Sequence, residues 1–257
     1  MLHAIVWGLI QGLTEFLPVS SSGHLVLVPA FLTEAGIDLP APGLETSAVL
    51  HLGTLLAVVV YYRKTLLGLL AFRRDRDARR TVILLMIGTL PVLIGFPLRG
   101  AISRFEESPR NVAFALLITV ALLAVGTWVR GGRRQISDMR PVDAVVIGVA
   151  QALALIPGVS RSGSTISAGL VRDLEPTAAA NFAFLLGVPA IAGAGLLSLA
   201  ELSGGNVDWG PLFAGFLAAA VSGYAAIAAL LSLIRRVGLR PFMIYAATVA
   251  FAGIVLL

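Results

Sequence analysis

Residues 8–24, GLIQGLTEFLPVSSSGH, and residues 148–164, GVAQALALIPGVSRSGS, are two versions of one pattern. At a constant offset of 140, without gaps, Gly8, Gln11, Leu13, Val19, Ser20, Ser22 and Gly23 match Gly148, Gln151, Leu153, Val159, Ser160, Ser162 and Gly163. Seven identities in 16 aligned positions point to a repeat, even after allowing for the apolar bias that inflates such counts. Each copy is an apolar run broken in its middle by proline, glycine and hydroxyl residues. The longer apolar stretches around them, about 2–30 and 142–171, are interrupted in the same way.

The rest of the chain says where such a pattern lives. Its 257 residues are 58% hydrophobic and only 13% charged, with a mean hydropathy of +0.93. A soluble domain carries roughly 25% charged and roughly 45–50% apolar residues. So few charges cannot cover a soluble surface, and high hydrophobicity with a net charge of +5 excludes disorder. Zero cysteines exclude a disulfide scaffold, Cys-ligated zinc, an iron–sulfur cluster and a thiol nucleophile, and leave the compartment open. An all-α polytopic membrane protein remains. The pI of about 10.4 would suit a nucleic-acid binder, but the basic residues fall in short gaps between apolar runs. Membrane lipids, not nucleic acid, are the expected surroundings. No basic stretch precedes Gly8 and no small-residue cleavage site precedes Glu15, so no cleavable signal peptide is expected.

A membrane helix needs about 20 mostly apolar residues. Six spans are predicted, at about 44–62, 81–98, 111–129, 178–200, 210–234 and 241–257. Broken, polar backbone inside a bilayer survives only when packed in protein or lining a cavity, so 2–30 and 142–171 read as re-entrant helix–loop–helix segments. Segment 63–80 holds seven basic residues, 130–140 four and 235–240 three, which places them in the cytoplasm. Segments 31–43, 99–110, 201–209 and the C-terminus then lie outside. The two broken segments enter from opposite faces, the signature of an inverted-topology repeat within one integral membrane domain, with halves of about 1–129 and 141–257. In such folds the binding site lies where the interrupted elements meet.

The first turn offers Gln11 and Glu15 at i, i+4 on one helical face, then Ser20, Ser21, Ser22 and His24. The second offers Ser160, Arg161, Ser162, Ser164 and Thr165 behind Pro157 and Gly158. A guanidinium at mid-membrane costs about 2.5–3.5 kcal/mol on the most lenient scale, so Arg161 needs an anionic partner. Its planar fork suits phosphate or carboxylate, and hydroxyls with glycine-rich backbone around it make a phosphate cradle. Glu15 must bind a cation, pair with Arg161 or exchange a proton. A purely structural Glu15–Arg161 tie between the two turns is the plain alternative. Taken singly, the hydroxyls read as backbone partners, and His24, His51 and Glu45 as packing or end residues. Trp7, Trp128 and Trp209 read as interface anchors.

The run from Gln11 through Glu15 and Pro18 to His24 resembles the (Glu/Gln)-x-x-x-Glu signature of the undecaprenyl-diphosphate phosphatase family, the BacA type linked to bacitracin resistance. Pro157-Gly158-Val-Ser160-Arg161-Ser162-Gly-Ser-Thr165 resembles that family's Pro-Gly-x-Ser-Arg-Ser-x-x-Thr motif, and the likeness covers essentially the whole chain. Where many members carry Glu, this chain has Gln11, whose neutral amide cannot be a base, so more of that role falls to Glu15. The resemblance implies hydrolysis of the terminal phosphate of a C55 polyprenyl diphosphate at the outer face of the bacterial plasma membrane. It also implies a divalent cation, Mg²⁺ or Ca²⁺, with Glu15 as ligand or base.

On that reading Arg161, Ser160, Ser162 and Thr165 grip the diphosphate, with Gln11, Ser20, Ser22 and His51 at the same site. Ser21 is the favoured nucleophile; Ser20, His24 and water stay open. Ser21 aligns with Arg161 in the repeat, at symmetry-related turn tips. A polyprenyl-phosphate flippase using the same diphosphate site is the competing class, since inverted repeats and broken helices also mark transporters. Either activity is compatible with a homodimer.

Overall fold

Proline and serine caps set several of the helix ends in this chain. The computed structural model describes residues 1–37, 39–129, 131–201 and 208–257, and these contain α-helices and short 3-10 turns but no strand. The first half holds α1 (Leu2–Phe16), α2 (Ser21–Glu34), α3 (Leu44–Tyr61), α4 (Arg63–Leu69), α5 (Arg76–Thr89), α6 (Gly95–Glu106) and α7 (Pro109–Val129). The second holds α8 (Pro141–Leu153), α9 (Arg161–Val171), α10 (Pro176–Glu201), α11 (Trp209–Val237) and α12 (Arg240–Leu256).

Helices α3, α7, α10 and α11 are long and apolar enough to cross a membrane, and α8 and α12 are shorter apolar helices. Large apolar side chains stand on the outer surface, among them Val221 at 70% exposure and Phe251 at 69%. Water would penalise such a surface, and lipid does not. The chain is a multi-pass membrane protein.

Some expectations need correction. The predicted span 81–98 is not one helix: α5 ends at Thr89, Leu90–Ile94 form a 3-10 turn, and α6 starts at Gly95. Pro91 has no N–H to donate and its ring crowds the carbonyl four residues back, which favours a break there. Pro29 and Pro189, by contrast, are accommodated within α2 and α10. The connecting segments 63–80 and 99–110 are largely helical, as α4, the start of α5 and α6. Their charges mark a surface without forbidding a helix there. Trp7 is not an interface anchor: it is 2% exposed, and its Nε1 donates to Pro40 O at 3.1 Å. Trp128 and Trp209 are exposed, as expected of anchors. Most of segment 201–209, together with Asp38 and Arg130, lies outside the described residues.

Close packing of the interrupted pairs rests on glycine. A Cβ at Gly8 would collide with the carbonyl of Gly215, and one at Gly12 with Ser222 Oγ, so α1 lies against α11 backbone to backbone. Gly148 does the same for α8 against α5, where a Cβ would meet the Gly88 carbonyl. Small residues at this spacing are what membrane helices use to approach closely. At the base of α8 and α9, the fully buried Asp143 accepts from Arg134 Nη2 and Arg172 Nε, both at 2.7 Å. Composition and spacing did not reveal that clamp.

Candidate active site

Both interrupted pairs build their turns from the same parts. Leu17, before Pro18, is extended with ψ 141°, as a residue preceding proline must be, and α1 ends there. Ser20 then caps α2, accepting from Gly23 N at 3.1 Å. In the second pair Gly158, at φ 99°, turns the chain, and Ser160 caps α9 by accepting from Gly163 N, also at 3.1 Å. The cap hydroxyls face a neighbouring serine at equal range: Ser20 to Ser22 and Ser160 to Ser162, each 3.3 Å. One difference stands out. Ser160 has φ −72°, whereas Ser20 has φ +72°, a region costing a non-glycine residue of order 1–3 kcal/mol.

The two turns interlock. Gly158 N donates to Ser22 Oγ at 3.3 Å, and Ser162 Oγ donates to Leu17 O at 3.1 Å. Thr119 of α7 stitches the second turn, donating to Gly158 O at 2.9 Å and accepting from Ser160 N at 2.8 Å. Helices α2 and α9 thus begin side by side, with the positive ends of their dipoles near one another, an arrangement favourable to an anion.

Glu15 sits between the turns. Its Oε1 accepts from Arg161 Nη2 at 2.9 Å, and its Oε2 accepts from Ser21 Oγ at 2.6 Å and from Gln11 Nε2 at 3.1 Å. Arg161 is held from behind as well, by a weak bond to Ala183 O at 3.4 Å and by Gly187, where a Cβ would overlap the guanidinium. With Glu15 buried and the Arg161 side chain 14% exposed, removing one partner would strand a buried charge, at about 3–5 kcal/mol.

These groups border a cavity of about 190 Å³ whose polar walls are Thr14, Glu15, Ser21, Ser22, His51, Ser160 and Arg161. A space of that size takes a phosphate-sized group. A larger cavity of about 660 Å³ lies further along the same helices: α2 lines it with Leu25, Val26 and Pro29, and α3 with Leu44 and Ser47.

Of the residues expected at a site, Glu15, Ser21, Ser22, Ser160, Arg161 and His51 meet at this cavity. Gln11 supports Glu15 from one turn back. Three hydroxyls are committed elsewhere: Ser20 to its cap, Ser162 to Leu17, and Thr165 to the Arg161 carbonyl at 2.7 Å. His24 is 4% exposed and off the cavity wall; Nδ1 lies 2.7 Å from Ser20 O and Nε2 2.8 Å from the Tyr245 hydroxyl. Glu45 lies in the first turn of α3 and lines neither cavity. Sequence reasoning passed over Thr14, Thr119, Tyr245 and Gly187. Thr119 carried a signal, a hydroxyl in the middle of an apolar span; nothing local marks Gly187.

Among the described residues no three His, Asp or Glu side chains gather as a metal cage. Glu15 is the one carboxylate on the cavity wall, with serine hydroxyls beside it and the buried, unpartnered Gln11 Oε1 one turn away. That donor set could hold a divalent cation, Mg²⁺ or Ca²⁺, only if water and substrate phosphate oxygens completed its shell.

The architecture and cavity define a polytopic helical membrane protein with an acid, a hydroxyl and an arginine converging on a phosphate-sized space. Residues 4–252 match the family described as "Bacitracin resistance protein BacA", and the chain belongs to that family. It is similar to the undecaprenyl-diphosphatase of Rubrobacter xylanophilus, 43% identical over 258 residues covering 95% of this chain and 94% of that one. That of Moorella thermoacetica is 42% identical over 244 residues, with 92% and 90% covered. That of Methanosphaera stadtmanae is 35% identical over 275 residues, with 100% and 98% covered.

Proposed function

We propose that this chain hydrolyses undecaprenyl diphosphate to the monophosphate and inorganic phosphate, recycling the lipid carrier of cell-wall synthesis. One observation carries the reading: a single buried carboxylate is shared between a serine hydroxyl and an arginine on the wall of a phosphate-sized cavity. The relatives named above are all diphosphatases, and none of their names speaks of transport.

In this mechanism the terminal phosphate enters the cavity and draws Arg161 from Glu15 into a forked contact with its oxygens. Glu15, released from that charge, takes the Ser21 proton along the existing 2.6 Å hydrogen bond. Ser21 Oγ attacks the terminal phosphorus, the bond to the bridging oxygen breaks, and the polyprenyl monophosphate leaves. The leaving monophosphate takes that proton from Glu15, which then deprotonates a water. The water attacks the phosphoserine phosphorus, the bond to Ser21 Oγ breaks, and Ser21 recovers its proton from Glu15 as phosphate is released. Arg161 and the N–H groups at the start of α2 and α9 stabilise the charge that builds on the phosphoryl oxygens. Glu15 and the diphosphate would hold a divalent cation, which adds further neutralisation of the phosphate oxygens.

The reading extends to architecture. The two interrupted pairs are re-entrant halves of an inverted repeat around this cavity, with the 660 Å³ cavity leading to the outer face of the bacterial plasma membrane. Matching helix neighbours support it: α1 with α11 as α8 with α5, α1 with α2 as α8 with α9, and α2 with α12 as α9 with α7. The test is phosphate release from polyprenyl diphosphate by the detergent-solubilised protein, with and without EDTA. Release that EDTA suppresses and Mg²⁺ or Ca²⁺ restores is expected. No release under any metal condition would leave a diphosphate-binding transporter as the better reading.

A further inference from the structure

We infer that His24 and Tyr245 are positioning residues: a strut from α12 that holds the Ser20 turn and thereby aims Ser21 at Glu15. Three observations carry this. A carbonyl can only accept, so the 2.7 Å contact to Ser20 O fixes the proton of His24 on Nδ1. In the neutral ring Nε2 then accepts from the Tyr245 hydroxyl at 2.8 Å, and both nitrogens are spent. The two rings lie parallel, 5° apart, with centroids 5.6 Å from each other.

The repeat supplies the second observation. Ser164 stands where His24 does, and its Oγ donates to the cap carbonyl Ser160 O at 2.7 Å, the bond that His24 makes to Ser20 O. A side chain four residues on thus ties down the cap carbonyl in both turns. Only in the first turn does that tie continue to another helix, and only there does the cap residue sit at positive φ. The extra link belongs with the strained turn. Thirdly, the residue after the strained one is Ser21, whose hydroxyl reaches Glu15, whereas His24 is off the cavity wall. His24 therefore acts through the backbone of Ser20 and not on the substrate.

The experiment measures kcat and KM for phosphate release in detergent, with monodispersity on size exclusion confirming that each variant folds. His24→Ala is expected to lower kcat by about 10²-fold with KM nearly unchanged, because a small misplacement of a reacting group costs that much. His24→Ser, the repeat's own solution, and His24→Asn each restore a donor toward Ser20 O and should recover activity to within about tenfold of the unaltered chain. Neither can carry a proton as an imidazole does, and asparagine cannot act as a nucleophile either. Tyr245→Phe removes the outer link alone and should lower kcat by about two- to tenfold. If the Ser and Asn variants are as inactive as Ala, or a phosphoryl group is trapped on His24, the inference is overturned. Unchanged kcat in Tyr245→Phe would overturn the part given to Tyr245. The inference rests on the Ser21 chemistry above. Ser21→Ala, measured in parallel, fails alone if that chemistry is wrong, and the His24 series fails alone if the strut is.

Discussion

The turn between α1 and α2 and the turn between α8 and α9 share a frame and divide the chemistry. Cap distances, serine–serine distances and the tie from the fourth residue on agree between them. Of the positions that differ, three separate their roles: Glu15 against Leu155, Ser21 against Arg161, and His24 against Ser164. A duplicated scaffold brings two helix starts together, and asymmetric substitution then places acid and hydroxyl on one side and the cation on the other. Neither turn alone holds a charge-neutral site; together they do.

That division can be broken at its active positions and probed at its shared ones. Ser21→Ala should abolish phosphate release, by about 10³-fold or more, if the hydroxyl is the nucleophile; a variant that still turns over at a tenth of the normal rate points to water instead. Arg161→Ala should cost about 10²–10³-fold in rate. Arg161→Lys, which keeps the charge and loses the fork, should remain impaired in the same assay.

The amides that align in the repeat should behave unequally. Gln11→Ala removes a donor to a charged carboxylate, worth about 1.5–3 kcal/mol, so activity should fall by roughly ten- to a hundredfold. Gln151, whose amide makes only a 3.4 Å contact to Gly88 O, should tolerate alanine with little change in kcat. Equal losses at the two positions would argue against an asymmetric site. The smallest functional effects belong to the scaffold. Gly8→Ala and Gly148→Ala each overpack a helix contact and should lower stability by about 1–3 kcal/mol, read as a drop in Tm of similar size for both. A large drop at one and none at the other would break the scaffold half of the comparison.

Much of this was legible in residue order. Apolar content marked a membrane protein, Pro18 and Pro157 with their neighbouring serines marked the interruptions, and the scarcity of charge singled out Glu15 and Arg161. These are short-range signals: hydropathy over about 20 residues, and caps formed within three residues of the helix start. The break at Leu90–Ile94 was also local, but Pro91 sat inside a run whose hydropathy alone read as one span.

Other features have no local cause. Trp7 became core because Pro40 and α11 cover it, and Asp143 became buried because Arg134 and Arg172 reach it from either side. Thr119 stitches a turn 39 residues away, and Tyr245 meets a histidine 221 residues away. Residue order set the class, the interruptions and the inventory of reactive groups, since each depends on neighbours along the chain. Packing alone decided which of them face one cavity. Burial obliges every polar group to find a partner, and only the folded arrangement says which partner is within 3 Å.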